Sequence, residues 1–146
     1  MKIVIATDHN GVNEKEAIIN NLKDTYEVID MSQNNTPTDD YPTYAFEVAE
    51  YVSKNDNTLG ILLCGTGIGM SIAANKIKGI RCAHVSNIDE SILARLHNNA
   101  NVIAMSYKND INLILECINN FITTDFANEE RHIRRINMIT EYERDN

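Results

Sequence analysis

Five short apolar runs separated by segments of helical length constrain this chain more than any other feature. Residues 2–7, 28–29, 59–64, 80–85 and 101–105 read as strands. Helices are predicted over 12–24, 43–54, 68–78, 88–97, 110–122 and 126–143, the last capped by Thr124 or Asp125. Residues 32–40, polar and carrying Pro37, read as a loop. Strands that alternate with helices imply βαβ units and a parallel sheet covered on both faces. The expected architecture is α/β: a three-layer αβα sandwich with a five-stranded parallel sheet, strand order 2-1-3-4-5, and an extra C-terminal helix.

Nothing repeats and no linker divides the sequence, so residues 1–146 are read as one domain. A net charge of −8 argues against nucleic acid or an anionic membrane as the main partner. An anionic substrate would need a local basic pocket. No signal-peptide pattern and no apolar run of membrane-spanning length is visible. Cys64, Cys82 and Cys117 are odd in number and widely spaced, which suggests a reducing cytoplasm. No CxxC or His-x₃₋₅-His spacing points to zinc.

In such sheets a ligand lies at the carboxyl ends of the strands, where strand order reverses. Here that is between strands one and three. Asp8-His9 leaves the first, and Cys64-Gly65-Thr66-Gly67-Ile68-Gly69-Met70 leaves the third. Alternate glycines let backbone N–H groups approach a ligand, and a helix N-terminus favours negative charge. The segment thus offers a base beside an anion hole, against the plain alternative of a buried packing cysteine. A nucleotide phosphate is a rival ligand, although GTGIG lacks GxGxxG spacing and no P-loop lysine follows. Cys82 and Cys117 sit in apolar runs and read as core.

Asp8-His9 reads either as part of a turn with Asn10-Gly11 or as a site for hydroxyls and an anion. His97-Asn98 ends a helix, as a cap or a general acid–base, and is expected at the same carboxyl edge. His84 reads as structural. Arg131 and Arg135 share one helix face, either as a phosphate clamp or as partners of Glu129 or Glu130, with His132 and Arg134 pointing elsewhere. Tyr41, in Asp39-Asp40-Tyr41-Pro42, either hangs over the pocket from the long loop or simply packs.

An ordered set of motifs spans nearly the whole chain: Asp8-His9, Asp40-Tyr41-Pro42, Cys64 to Gly69, Ile72-Ala73-Ala74-Asn75-Lys76, Gly79-Ile80-Arg81, His97-Asn98, Asn101-Val102, and Arg131 with Arg135. The set resembles the ribose-5-phosphate isomerase B family, which also holds galactose-6-phosphate isomerase subunits. The resemblance implies a flavodoxin-like (Rossmann-like) sandwich and aldose–ketose isomerisation of a phosphorylated sugar, ribose 5-phosphate to ribulose 5-phosphate, in the pentose phosphate pathway. It implies Cys64 as the base, with Thr66 nearby and the amides of Gly65, Gly67, Ile68 and Gly69 on the enediolate oxygens. His97, helped by Asp8, would open the furanose ring, and Asn98 would bind substrate beside Tyr41. His9, Arg131 and Arg135 would grip the phosphate.

By the same resemblance the protein needs no metal or organic cofactor. It would act as a homodimer or homotetramer with sites at the subunit interface. Some relatives use a Glu where Met70 stands; with Cys64 present, the cysteine type applies. Galactose-6-phosphate relatives lack the His and the paired arginines found here. Family members often carry an Arg after the fifth strand, reaching a phosphate in the neighbouring subunit, and here Lys108 takes that position. A six-carbon sugar phosphate such as allose 6-phosphate, or a nucleotide- or flavin-binding module on the same fold, are the alternative readings.

Overall fold

A computed structural model describes residues 1–146. Its strands are β1 (Lys2–Thr7), β2 (Glu27–Asp30), β3 (Thr58–Cys64), β4 (Cys82–His84) and β5 (Val102–Ser106). Its helices are α1 (Val12–Leu22), α2 (Tyr41–Lys54), α3 (Ile68–Ala74), α4 (Ile88–Asn98), α5 (Ile111–Thr123) and α6 (Glu130–Asp145), and a 3₁₀ turn covers His9–Gly11. All strands run parallel. No helix is long and apolar enough to cross a membrane.

Two hydrophobic cores show why the sheet is sandwiched. Alternate residues of a strand point to opposite faces. Ile3, Ile5, Ile61, Leu63, Ile103 and Met105 pack on one face with Ile18 and Leu22 of α1, Ala94 of α4, and Ile114 and Phe121 of α5. Val4, Ala6, Leu62, Cys64, Val102 and Ala104 pack on the other with Ala45 and Val48 of α2 and Met70 and Ala73 of α3. These are the three expected layers.

The strand order is β2-β1-β3-β5-β4, not 2-1-3-4-5. Burial explains the exchange. Val102, Ile103, Ala104 and Met105 are all buried, so β5 needs a central position with both faces covered. The three-residue β4 is only half-buried and suits an edge. The order still reverses between β1 and β3, so the switch point stands at the expected pair of strands.

Three boundaries also move. Tyr41 opens α2 instead of hanging from a loop, with Pro42 in the first turn, where its missing N–H costs nothing. Helix α3 stops at Ala74, because the Asn75 side chain pairs with the Cys82 backbone in both directions, at 3.0 and 2.8 Å. Residues 124–129 stay outside α6, whose N-cap is Glu129 and not Thr124 or Asp125. There the Ala127 N–H donates to the Leu96 carbonyl, and Asn128 adopts a positive φ of 56°.

Candidate active site

At the carboxyl edge, β1 and β3 deliver Asp8-His9 and Cys64 side by side, since Thr7 pairs with Leu63. Cys64 is 5% exposed, and its sulfur accepts the Gly67 N–H at 3.1 Å. That bend requires glycine: Gly67 has φ +80°, and an added Cβ would sit 2.9 Å from the Met105 backbone. The loop is held from outside by the Ser106 hydroxyl on the Gly65 carbonyl at 2.7 Å. The His84 ring meets the Thr66 carbonyl at 2.9 Å, which gives His84 its structural role. The N–H groups of Gly65, Thr66, Gly69 and Met70 find no acceptor in the protein. They lie in the loop and first helical turn that follow a buried sulfur, and free N–H groups there are suited to developing oxyanion charge. Thr66 Oγ1 accepts the Ile68 N–H at 3.2 Å and so shapes the loop. Tyr41 lies across Gly69, where an added Cβ would meet its ring at 2.5 Å.

Asp39 is a partner of candidate residue His9 that the sequence reading passed over. His9 Nδ1 meets its carboxylate at 2.8 Å, with the His9 N–H at 3.2 Å. This contact orients the ring and leaves Nε2 for a ligand. Burial opposes charge on Asp39, but hydrogen bonds from Asn35, His9 and Tyr44 outweigh it and hold the carboxyl well below the usual range. A group depressed in this way stabilises the fold above its ordinary pKa, and the benefit is lost as pH falls through the folded value. Asp39→Asn should therefore cost about 2 kcal/mol at neutral pH. In urea titrations the gap from wild type should narrow below about pH 4. A gap independent of pH would refute this role. The signal was Asp39 beside Asp40 and Tyr41: two adjacent carboxylates just before α2, whose N-cap residue is Asp40.

His97 and Asn98 are not at this edge. Helix α4 runs antiparallel to the strands, so its C-terminus meets the amino edge, where β5 begins. Arg81, just before β4, donates to the Asn98 carbonyl at 3.0 Å. Gly60 pairs with Val102 and Cys64 with Ser106, which puts the two edges about 13 Å apart along the strands. At the amino edge His97, Asn98, His132, Arg135, Ile136 and Ile139 line a concavity of about 230 Å³. His132 does not point elsewhere: it is 7% exposed and stacks on His97 with centroids 4.3 Å apart. Burial, then His97, pushes its pKa down, and its Nε2 has no partner. Arg131, exposed one turn before Arg135, pairs with Glu129 at 2.8 Å. Lys108, exposed after β5, belongs to the carboxyl edge, its N–H on Ser106 Oγ at 3.1 Å.

The candidate residues thus fall into two groups at opposite edges. Asp8, His9, Tyr41, the 64–69 loop and Lys108 stand at one, and His97, Asn98 and Arg135, with Arg131 one turn before it, at the other. No concavity of the single chain includes Cys64. Cys117 is fully buried and Cys82 half-buried; burial pushes their thiols up to about 11 and about 12, which leaves both inert.

The profile of the Ribose/Galactose Isomerase family matches residues 3–139. Ribose-5-phosphate isomerase B of Mycobacterium tuberculosis is 37% identical over 147 residues, 99% of this chain and 91% of that protein. The crystal structure of ribose-5-phosphate isomerase B from Mycoplasma genitalium with bound ribulose-5-phosphate superposes with a TM-score of 0.95 at 41% identity, over 99% and 97% of the two chains. Type B ribose 5-phosphate isomerase from Trypanosoma cruzi gives a TM-score of 0.94 at 35% identity over the full length of both.

Proposed function

This chain belongs to the ribose/galactose isomerase family, and we propose that it interconverts D-ribose 5-phosphate and D-ribulose 5-phosphate through a cis-enediolate. The observation that carries the reading is the buried Cys64 sulfur at the head of a loop whose N–H groups lack acceptors, in a chain whose 41%-identical relative holds ribulose-5-phosphate. Cys64 thiolate removes the proton from C2 of the aldose and returns it to C1, while the O2 and O1 charge rests on the loop N–H groups. One O–H proton moves between those oxygens, so the two sugars differ only in the site of the carbonyl.

The acid–base pair for ring opening comprises Asp8 and His97, and the phosphate goes to His9, Arg131 and Arg135. Because the half-sites stand at opposite edges of one chain, a homodimer completes them: the Cys64 half of one subunit faces the His97 half of another. A two-fold pairing makes two identical composite sites and closes the open Cys64 surface to water. Exposed apolar side chains support that pairing, Ile68 and Ile72 of α3 among them, at 51% and 58% exposure. Three free cysteines suit the reducing cytoplasm.

Incubation with ribose 5-phosphate in D₂O tests the reading. Ribulose 5-phosphate should form with solvent deuterium at C1, and kcat/KM should exceed that for allose 6-phosphate. Failure to isomerise either sugar overturns it, and a copurifying flavin or nucleotide would then favour a binding module.

A further inference from the structure

We infer that the Tyr107 hydroxyl is a substrate-binding donor, placed to hydrogen-bond a sugar oxygen between Asp8 and the Cys64 loop. The inference rests on the isomerase reading above. Tyr107 follows β5 directly, and its N–H donates to the Cys64 carbonyl at 3.2 Å, so its backbone is fixed to the strand that carries the base. The ring crosses the crevice where strand order reverses. A Cβ added to Gly11, beyond the end of β1, would lie 2.8 Å from Tyr107 Cδ2. A Cβ added to Gly65, beyond the end of β3, would lie 3.6 Å from the phenol oxygen. The ring edge therefore packs at one side and the hydroxyl reaches the other, beside the loop N–H groups that find no acceptor.

The chemistry of the neighbours says what the hydroxyl is for. Burial pushes the phenol pKa up, Asp8 and Cys64 add to the effect, and the Asn10 side chain offsets part of it. Tyr107 thus stays protonated at neutral pH and remains a donor. Asp8, whose carboxylate accepts the Asn10 N–H, and Cys64, whose sulfur accepts the Gly67 N–H, are both acceptors here. A sugar carries oxygens that need donors as well as hydroxyl hydrogens that need acceptors. Tyr107 adds a neutral donor beside those acceptors, between Gly11 and Gly65. Part of the ring also packs on the core that includes Ile5, Leu63 and Met105. Packing alone would be served as well by phenylalanine.

Tyr107→Phe separates the two roles, because it keeps the ring and removes only the hydroxyl. The expected result is a kcat/KM for ribose 5-phosphate about tenfold below wild type. The melting temperature should be unchanged, and so should the inhibition constant of inorganic phosphate, a probe that carries no sugar oxygens. A Phe variant with wild-type kcat/KM overturns the inference. So does inhibition by inorganic phosphate weakened in the same proportion, which would place Tyr107 with the phosphate group. A wild type inactive on ribose 5-phosphate strikes the isomerase reading itself and carries this inference down with it.

Discussion

Cys64→Ala is expected to lower kcat for ribose 5-phosphate by about 10⁴-fold and to stop solvent-deuterium incorporation into the sugar. The size follows from the step. A C–H beside a carbonyl is a weak acid, and its removal needs a base fixed beside the loop N–H groups. Cys64 is 5% exposed and accepts the Gly67 N–H, so the base is held in place before substrate arrives. Loss of one buried sulfur at a strand end costs about 1 kcal/mol of packing, so the variant should fold and its melting temperature should fall only slightly. The N–H groups survive in the variant, so KM should change far less than kcat. Deuterium exchange at the wild-type rate in Cys64→Ala would remove the thiol from the chemistry. Cys82 and Cys117, both inert by burial, serve as controls: Ala at either should leave exchange intact.

The layered fold was legible because each layer has its own pattern. Continuous apolar runs such as Ile61-Leu62-Leu63 mark strands buried on both faces, and α5 and α2 repeat apolar residues at helical spacing. The exchange of β4 and β5 was not legible from order along the chain. It follows from comparing the four buried residues of β5 with the half-buried Cys82-Ala83-His84, a difference that only the packed sheet reveals. Among the candidate residues, Asp8 and Cys64 were placed at the right edge because they directly follow or end strands whose direction is known. His97 was misplaced because a helix between parallel strands returns to the amino edge, so its last residues lie away from the carboxyl ends. Asp39 acts through His9, thirty positions away, and that contact leaves no local motif.

Mixing two dead variants is expected to restore activity, which makes the split between edges testable. Cys64→Ala abolishes the base half of the site, and His97→Asn removes the ring-opening group from the other half. If each site takes Cys64 from one subunit and His97 from the other, a mixed dimer holds one doubly damaged site and one intact site. Random reassortment of equal amounts gives half mixed dimers, each half active, so about one quarter of wild-type activity should return. Both parents alone should remain far below that level. Cys64→Ala paired with Arg135→Ala tests the phosphate side in the same way, because Arg135 shares the concavity of His97. Its intact site should regain a wild-type KM for the phosphorylated sugar, whereas Arg135→Ala alone should raise it. Subunits must exchange for the test to count, which co-expression with two different affinity tags ensures. A tandem-purified mixed dimer with no more activity than its parents would mean that each chain completes its own site. That would require His97 to cross about 13 Å of sheet to reach Cys64, against the course of α4.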